Sequence, residues 1–167
     1  FDLTPGIVSL EGRNGRPIPN TLARQLADYV VIYSPIQMAA DLPENYARYP
    51  DAFAFIKQVP TDWEESHVLQ GEVADYAVMA RKERGGQDWY VGGVTDENAR
   101  SVSVSLDFLD ADKSYTATIY RDGADADYRT ETRHSIAIES KPVQRGDKLD
   151  LTMAPGGGFA VRLTPVG

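Results

Sequence analysis

Ser101-Val-Ser-Val-Ser-Leu-Asp-Phe108 alternates along its whole length: Val102, Val104, Leu106 and Phe108 fall on one side, and only Ser and Asp on the other. In an extended chain successive side chains point to opposite faces, so this stretch reads as a strand with one face buried and one in water. The rhythm extends both ways. Downstream, Tyr115, Ala117 and Ile119 alternate with Thr116, Thr118 and Tyr120, and the period returns at Ile136 and Ile138, at Leu149, Leu151 and Met153, and at Phe159, Val161 and Leu163. Upstream, Tyr76 to Lys82 and Trp89 to Thr95 complete a set of seven or eight strands. Turn-forming clusters separate them: Arg84-Gly-Gly86, Asp110-Ala-Asp112, Arg145-Gly-Asp147 and Pro155-Gly-Gly-Gly158. Short strands joined by such turns predict an antiparallel β-sandwich over residues 67–167, and a mainly β fold class for the chain.

Before about residue 60 the period is helical. Asn20 or Thr21 can cap a helix whose Leu22, Ala23, Leu26, Ala27, Val30 and Val31 follow i, i+3, i+4 spacing. Ser34-Pro35 interrupts it, and serine as cap with proline at the first helical position predicts a second helix carrying Ile36, Met38, Ala39 and Ala40, ending at Leu42-Pro43. A third fits Asp51 to Gln58, with Phe53, Phe55 and Ile56 as its apolar side and Pro60 as its stop. Residues 1–66 thus form a mostly helical part. Trp63-Glu-Glu-Ser66 is expected at the junction, between the helices and a first sandwich strand starting near Val68, with Trp63 buried against both.

The composition belongs to a globular domain: 167 residues, 42% hydrophobic and 25% charged. Seventeen Lys and Arg against 25 Asp and Glu give a net charge of −8. Most of the excess lies beyond residue 60, and a surface of that sign repels phosphate backbones and anionic lipid, which argues against nucleic acid or membrane as a partner. The longest purely aliphatic or aromatic run, Tyr29 to Tyr33, is far too short to cross a bilayer. Cysteine is absent, which removes disulfides, thiolate metal sites and thiol nucleophiles together.

Residues that could carry chemistry are few. His67 and His134 are far apart in sequence, with no carboxylate at ligand-like helical spacing, so they read as ordinary strand or loop residues. Asp122, Asp125 and Asp127 could gather around calcium, but the central Gly and closing Glu of a calcium loop are misplaced, and a solvated hairpin loop fits better. Glu64 and Glu65 are adjacent, so they point apart and cannot flank one glycosidic bond. Gly156-Gly-Gly158 lacks the Lys-Ser/Thr of a phosphate loop and reads as a turn. No catalytic residue is assigned.

Six blocks resemble glycoside hydrolase family 97, in the family's order: Phe1-Asp-Leu-Thr-Pro-Gly6, Thr21-Leu-Ala-Arg-Gln-Leu-Ala27, Tyr29 to Asp41, Pro43-Glu-Asn-Tyr46, Val59-Pro-Thr-Asp-Trp-Glu-Glu-Ser66 and Asp88-Trp-Tyr-Val-Gly-Gly-Val-Thr95. The resemblance implies a calcium-dependent, exo-acting α-glucosidase or α-galactosidase, periplasmic or secreted in bacteria, built of an N-terminal sandwich, a (β/α)₈ catalytic barrel and a C-terminal sandwich. This chain would be the C-terminal portion: residues 1–66 close the barrel and 67–167 form the sandwich. Its partners would be the remaining barrel and N-terminal domain of the same polypeptide, and an oligosaccharide substrate.

The resemblance also places the catalytic acid and the calcium-binding glutamates before position 1. Glu11-Gly-Arg-Asn-Gly-Arg-Pro17 looks like the stretch holding two of them but departs at Asn14 and Pro17. Only Asp2, at the end of the last barrel strand, would face substrate. The alternative is a carbohydrate-binding module, with Trp89, Tyr90, Tyr76, Tyr120 or Tyr128 stacking on sugar. Without its barrel, the helical part would expose Leu22, Leu26, Val30, Ile36 and Met38, so residues 20–58 are expected to fold back on the sandwich, to drive self-association, or to be less well ordered than the sandwich.

Overall fold

A computed structural model describes residues 2–167 and, at Asp2 and Arg13, the backbone alone. The first part of the chain contains β1 (Asp2–Leu3), α1 (Leu22–Val31), β2 (Ile36–Gln37), α2 (Pro43–Arg48) and α3 (Pro50–Gln58). Eight strands follow: β3 (Trp63–Glu72), β4 (Tyr76–Glu83), β5 (Trp89–Thr95), β6 (Arg100–Ser105), β7 (Ser114–Asp122), β8 (Ile136–Gln144), β9 (Lys148–Met153) and β10 (Gly158–Pro165). Six of them form one antiparallel sheet in the order β3-β4-β5-β10-β7-β8, and β6 pairs with β9 in a separate ribbon.

The large sheet is the middle of three layers, because its central strands bury both faces. On β5, Trp89 and Val91 join Val102, Val104, Leu149, Leu151 and Met153 of the ribbon in one core, while Tyr90 points the other way, toward Leu22, Leu26, Val30 and Phe55 of the helices. On β10, Phe159, Val161 and Leu163 face the ribbon and Ala160 faces the helices. Burying both faces explains why Trp89–Thr95 is apolar throughout rather than alternating.

Helix α1 lies across β5 and β10. Leu22, Leu26 and Val30 are completely buried there, each contributing about 1.5–3 kcal/mol relative to exposure. Glycines let the helix approach: a Cβ on Gly92 would sit 2.8 Å from Val30 Cβ and 3.0 Å from the Ala27 carbonyl, and one on Gly158 would sit 3.2 Å from Arg24 Cα. The sandwich's outer face thus covers α1, the first of the outcomes expected for residues 20–58. Ile36 and Met38, 53% and 44% exposed, remain uncovered.

Three expectations are corrected. Residues 36–40 are not helical: β2 pairs in parallel with β1. Local bonds hold that turn, with the Ser34 hydroxyl bonding the Ile36 backbone and the Tyr29 hydroxyl donating to the Met38 carbonyl. Pro43 does not end a helix but begins α2, where its missing N–H costs nothing. The first sandwich strand starts at Trp63 rather than Val68, so Glu64, Glu65 and Ser66 lie within it. Their alternation is hidden because β3 is an edge strand whose residues 64–68 are exposed on both faces.

Candidate functional site at the junction of helices and sandwich

The densest polar chemistry of the described residues is where α1 meets the sheet. At the helix start, Thr21 Oγ1 accepts from the Arg24 N–H and donates to Asp122 Oδ1 at 2.6 Å. Asp122 Oδ2 accepts from the Ala154 and Gly158 N–H groups, both at 2.8 Å. One buried carboxylate therefore joins the helix cap, the end of β7 and the turn between β9 and β10. Burial pushes its pKa up, opposed in turn by the bonds from Thr21, Ala154 and Gly158 and by the Arg24 charge. Arg24 pairs with Asp28 at 2.9 Å and donates to the Thr95 carbonyl.

At the helix end, the last carbonyls lack intrahelical partners. Arg81 of β4, buried, supplies them: Nε donates to Val30 O at 2.6 Å and Nη2 to Val31 O at 3.3 Å, while Nη1 donates to Ser66 Oγ. The guanidinium also places a positive charge at the negative end of the helix dipole, and it lies over the Trp63 ring. Trp63 is buried and packs edge-on against Tyr90, which meets Phe55 of α3 in the same manner. The expected burial of Trp63 against both parts is what the structure shows. Tyr90 donates to the Gln58 carbonyl and Arg162 bridges Asp88 and Gln58, tying α3 to the sheet.

The loop before α1 is held from the helix. Gln25 Oε1 accepts from the N–H groups of Gly6 and Ile7, the Tyr46 hydroxyl donates to the Gly6 carbonyl, and the Tyr29 hydroxyl lies between the Met38 and Pro5 carbonyls, at 2.8 and 3.2 Å, which share its one proton. Burial raises the Tyr29 and Tyr46 hydroxyl pKa values, so both stay protonated donors.

The residues singled out in the sequence do not converge. Asp2 lies in β1, and its side chain is outside the described residues, as is all of Phe1. His67 meets Glu65 on the exposed edge strand, and His134 stacks on Tyr49 and bonds the Ser9 carbonyl. Glu64 and Glu65 both approach Lys82. Asp125 accepts from Ser135 and Asp127 from Arg129. Among the described residues no group of three or more His, Asp or Glu side chains could hold a metal ion, so the residues present do not form a calcium site. No helix is long and apolar enough to cross a membrane.

The aromatic candidates do not form a sugar platform. Trp89, Tyr90 and Tyr120 are buried. Tyr76 and Tyr128 are half-buried, each with a guanidinium over its ring, Arg100 over Tyr76 and Arg129 over Tyr128.

Two residues that matter most were missed or misread. Asp122, expected in a solvated loop, is 3% exposed. A signal was present: continuing the period of β7 from Tyr120 places Asp122 on the same face, under the helix. Arg81 was not singled out, because it opens the charged run Arg81-Lys82-Glu83 at the end of β4 and reads like an exposed strand end.

The family profile described as "Glycosyl-hydrolase 97 C-terminal, oligomerisation" matches residues 62–164. A retaining alpha-galactosidase of Bacteroides thetaiotaomicron is 46% identical over 143 residues, covering 86% of this chain and 21% of its own length. A probable retaining alpha-galactosidase of Streptomyces bingchenggensis is 31% identical over 160 residues, covering 96% and 23%. A glycoside hydrolase family 97 enzyme from Pseudoalteromonas sp. strain K8, solved in complex with acarbose, superposes with a TM-score of 0.94 at 50% identity over 99% of this chain and 26% of that one. The chain thus spans about a quarter or less of the length of these relatives.

Proposed function

The chain belongs to glycoside hydrolase family 97, and on that premise we propose that it serves as the C-terminal support of an exo-acting α-glycosidase whose catalytic and calcium-binding carboxylates lie outside these residues. The residues before β3 are the closing elements of the barrel, and the sandwich that braces them begins with β3 at Trp63. One observation carries this reading: α1 is capped at both ends by sandwich side chains, Asp122 through Thr21 and Arg81 at the C-terminus. A helix so fastened transmits the rigidity of the sheet to whatever packs on its other side. Ile32, Tyr33, Ile36, Met38 and Leu42, all 36–64% exposed, provide an apolar surface there that would meet the rest of the barrel.

In the whole enzyme, paired carboxylates would protonate the leaving oxygen and attack the anomeric carbon; the names of both curated relatives support a retaining course. Asp2 would lie at the substrate end of the barrel, where strand carboxyl ends gather the active site. The sandwich would also bring copies together, a role supported by the family description over residues 62–164.

The test is enzymatic. The 167-residue chain should leave aryl α-glucosides and α-galactosides intact with or without calcium. Turnover abolished by one Glu or Asp replacement within it would overturn the reading. In a longer family polypeptide carrying this segment, Asp2→Asn should change kcat or KM with little change in Tm; a large stability loss with normal kinetics would make Asp2 structural only.

A further inference from the structure

We infer that the open edge of β3 is the surface through which two copies of this chain meet, pairing antiparallel about a two-fold axis near Val68. The inference rests on the reading that the sandwich mediates self-association, and it names the surface.

β3 ends the six-stranded sheet, so among the described residues its outward N–H and C=O groups face no neighbouring strand. Such an edge is a template for another strand. Its register against β4 shifts between Trp63 and Glu65 and again between Val68 and Gln70, leaving Glu65–Val68 as the regular stretch between two irregularities. A short straight segment bounded in this way favours one discrete pairing over open-ended stacking. Val68, in the middle of the strand, is 73% exposed, and Val73 at the hairpin end is 97% exposed. Beside them runs a groove of about 580 Å³ lined by apolar Val68, Val73 and Tyr76 and by charged Arg24, Glu72 and Asp96.

The other edges are less suited. β8 carries Pro142, which removes a ladder donor, between Lys141 and Val143. On the ribbon, the Ser103 carbonyl of β6 already accepts from Gln70 Nε2 at 2.7 Å. Lys82, 3.5 and 3.8 Å from Glu64 and Glu65, offsets part of the negative charge that β3 would bring to the dyad.

The geometry constrains the side chains. Val68 pairs with Met79, and Ser66 with Arg81, whose side chain reaches α1, so Val68 and Ser66 lie on the α1 side of the sheet. A dyad normal to the sheet keeps the α1 sides of both copies together, which brings the two Val68 side chains to one side of the joined ladder, opposite or diagonal to each other.

The experiment is sedimentation velocity on the 167-residue chain and its variants over a range of concentrations. The wild type should dimerise. Val68→Glu and Val68→Lys should each raise the dissociation constant at least about tenfold by placing like charges together, with unchanged circular dichroism, because the position is exposed in the single chain. Mixing the two variants should restore a dimer by opposite charge. Ile36→Glu and Ile138→Glu, at other exposed apolar positions, should leave association intact. A wild type that stays monomeric throughout overturns the self-association reading and this surface with it. A dimer that survives Val68→Glu, or that Ile36→Glu or Ile138→Glu dissolves instead, overturns the β3 surface alone. Should Val68→Glu fail to fold, concentration-dependent protection of the β3 amides from hydrogen exchange decides: protection supports the surface, and its absence in a dimer overturns it.

Discussion

The hydroxyl of Thr21 donates to the carboxylate of Asp122 across 101 residues of sequence, at 2.6 Å. The same hydroxyl accepts the Arg24 N–H at the first turn of α1, so the bond that starts the helix also fastens it to the end of β7. Replacing Asp122 by Ala would leave the Thr21 hydroxyl and the Ala154 and Gly158 N–H groups without an acceptor. Buried donors left in that state cost about 1–3 kcal/mol each when no water reaches them. Asp122→Ala should therefore lower stability by about 3 kcal/mol, roughly 6–12 °C in Tm for a chain of this size. Asp122→Asn should lose much less, since its carbonyl can take both N–H bonds while its amide donates to Thr21. Thermal melts of the two variants check the ranking.

The pH dependence of that comparison follows from burial. The folded state holds the Asp122 proton more tightly than the unfolded chain, whose carboxylate has its ordinary value near 3.8. Between that value and the raised folded one, the folded state binds more protons, and stability falls as pH rises. Above the raised value the penalty is constant. Asn carries no such penalty, so the Tm of Asp122→Asn minus that of the wild type should grow as pH rises through this window and then level off. A difference that is flat, or that shrinks with rising pH, would show that the bonds to Thr21, Ala154 and Gly158 outweigh desolvation.

Arg81 should matter locally as well as globally. Arg81→Met keeps much of the apolar stem but removes the donors to Val30 O, Val31 O and Ser66 Oγ. Loss of about 2–3 kcal/mol is expected, since bonds to a charged group contribute about 1.5–3 kcal/mol. Hydrogen exchange should accelerate in the last turn of α1 before it does in β6 or β9, because those strands belong to the other core. Uniform acceleration throughout the chain would contradict a capping role.

Gly92→Ala tests the contact between helix and sheet from the other side. The added methyl would meet Val30 Cβ, the Ala27 carbonyl and Val31 Cγ2 within 2.8–3.0 Å, and two of these belong to the buried helix face or its backbone. Overpacking of this kind costs about 1–3 kcal/mol. A melting temperature equal to the wild type's would mean that α1 shifts on the sheet freely, which the bonds at its two ends argue against.

Much of the architecture was legible in the sequence. Strands with one face in water and one in the core, such as Ser101–Ser105, announced themselves by alternation, and α1 did so because Leu22, Leu26 and Val30 repeat at helical spacing. What misled were segments shaped by other forces. Ile36-Gln37 pairs with Asp2-Leu3 across more than thirty positions, held by the turn bonds of Ser34 and Tyr29 and by backbone bonds from Met38 and Ala40 to the Leu3 and Pro5 carbonyls. Pro43 and Pro50 both start helices where a proline is as readily taken for a stop. Glu64 to Ser66 lie in an edge strand, which has no dry face to impose alternation.

The sequence by itself determined the fold class, the family and the absence of thiol chemistry, because these depend on local periodicity, motif order and composition. Only the tertiary structure decided that the helices lie on the sheet's outer face, that Asp122 and Arg81 hold the two ends of α1, and that Trp89, Tyr90 and Tyr120 are buried in the cores. Periodicity records which side of an element is apolar, but not what lies against it. A carboxylate at the end of β7 and a hydroxyl at the start of α1 become partners only when the chain has brought positions 21 and 122 together, and the free energy that makes the pair matter comes from the exclusion of water around them.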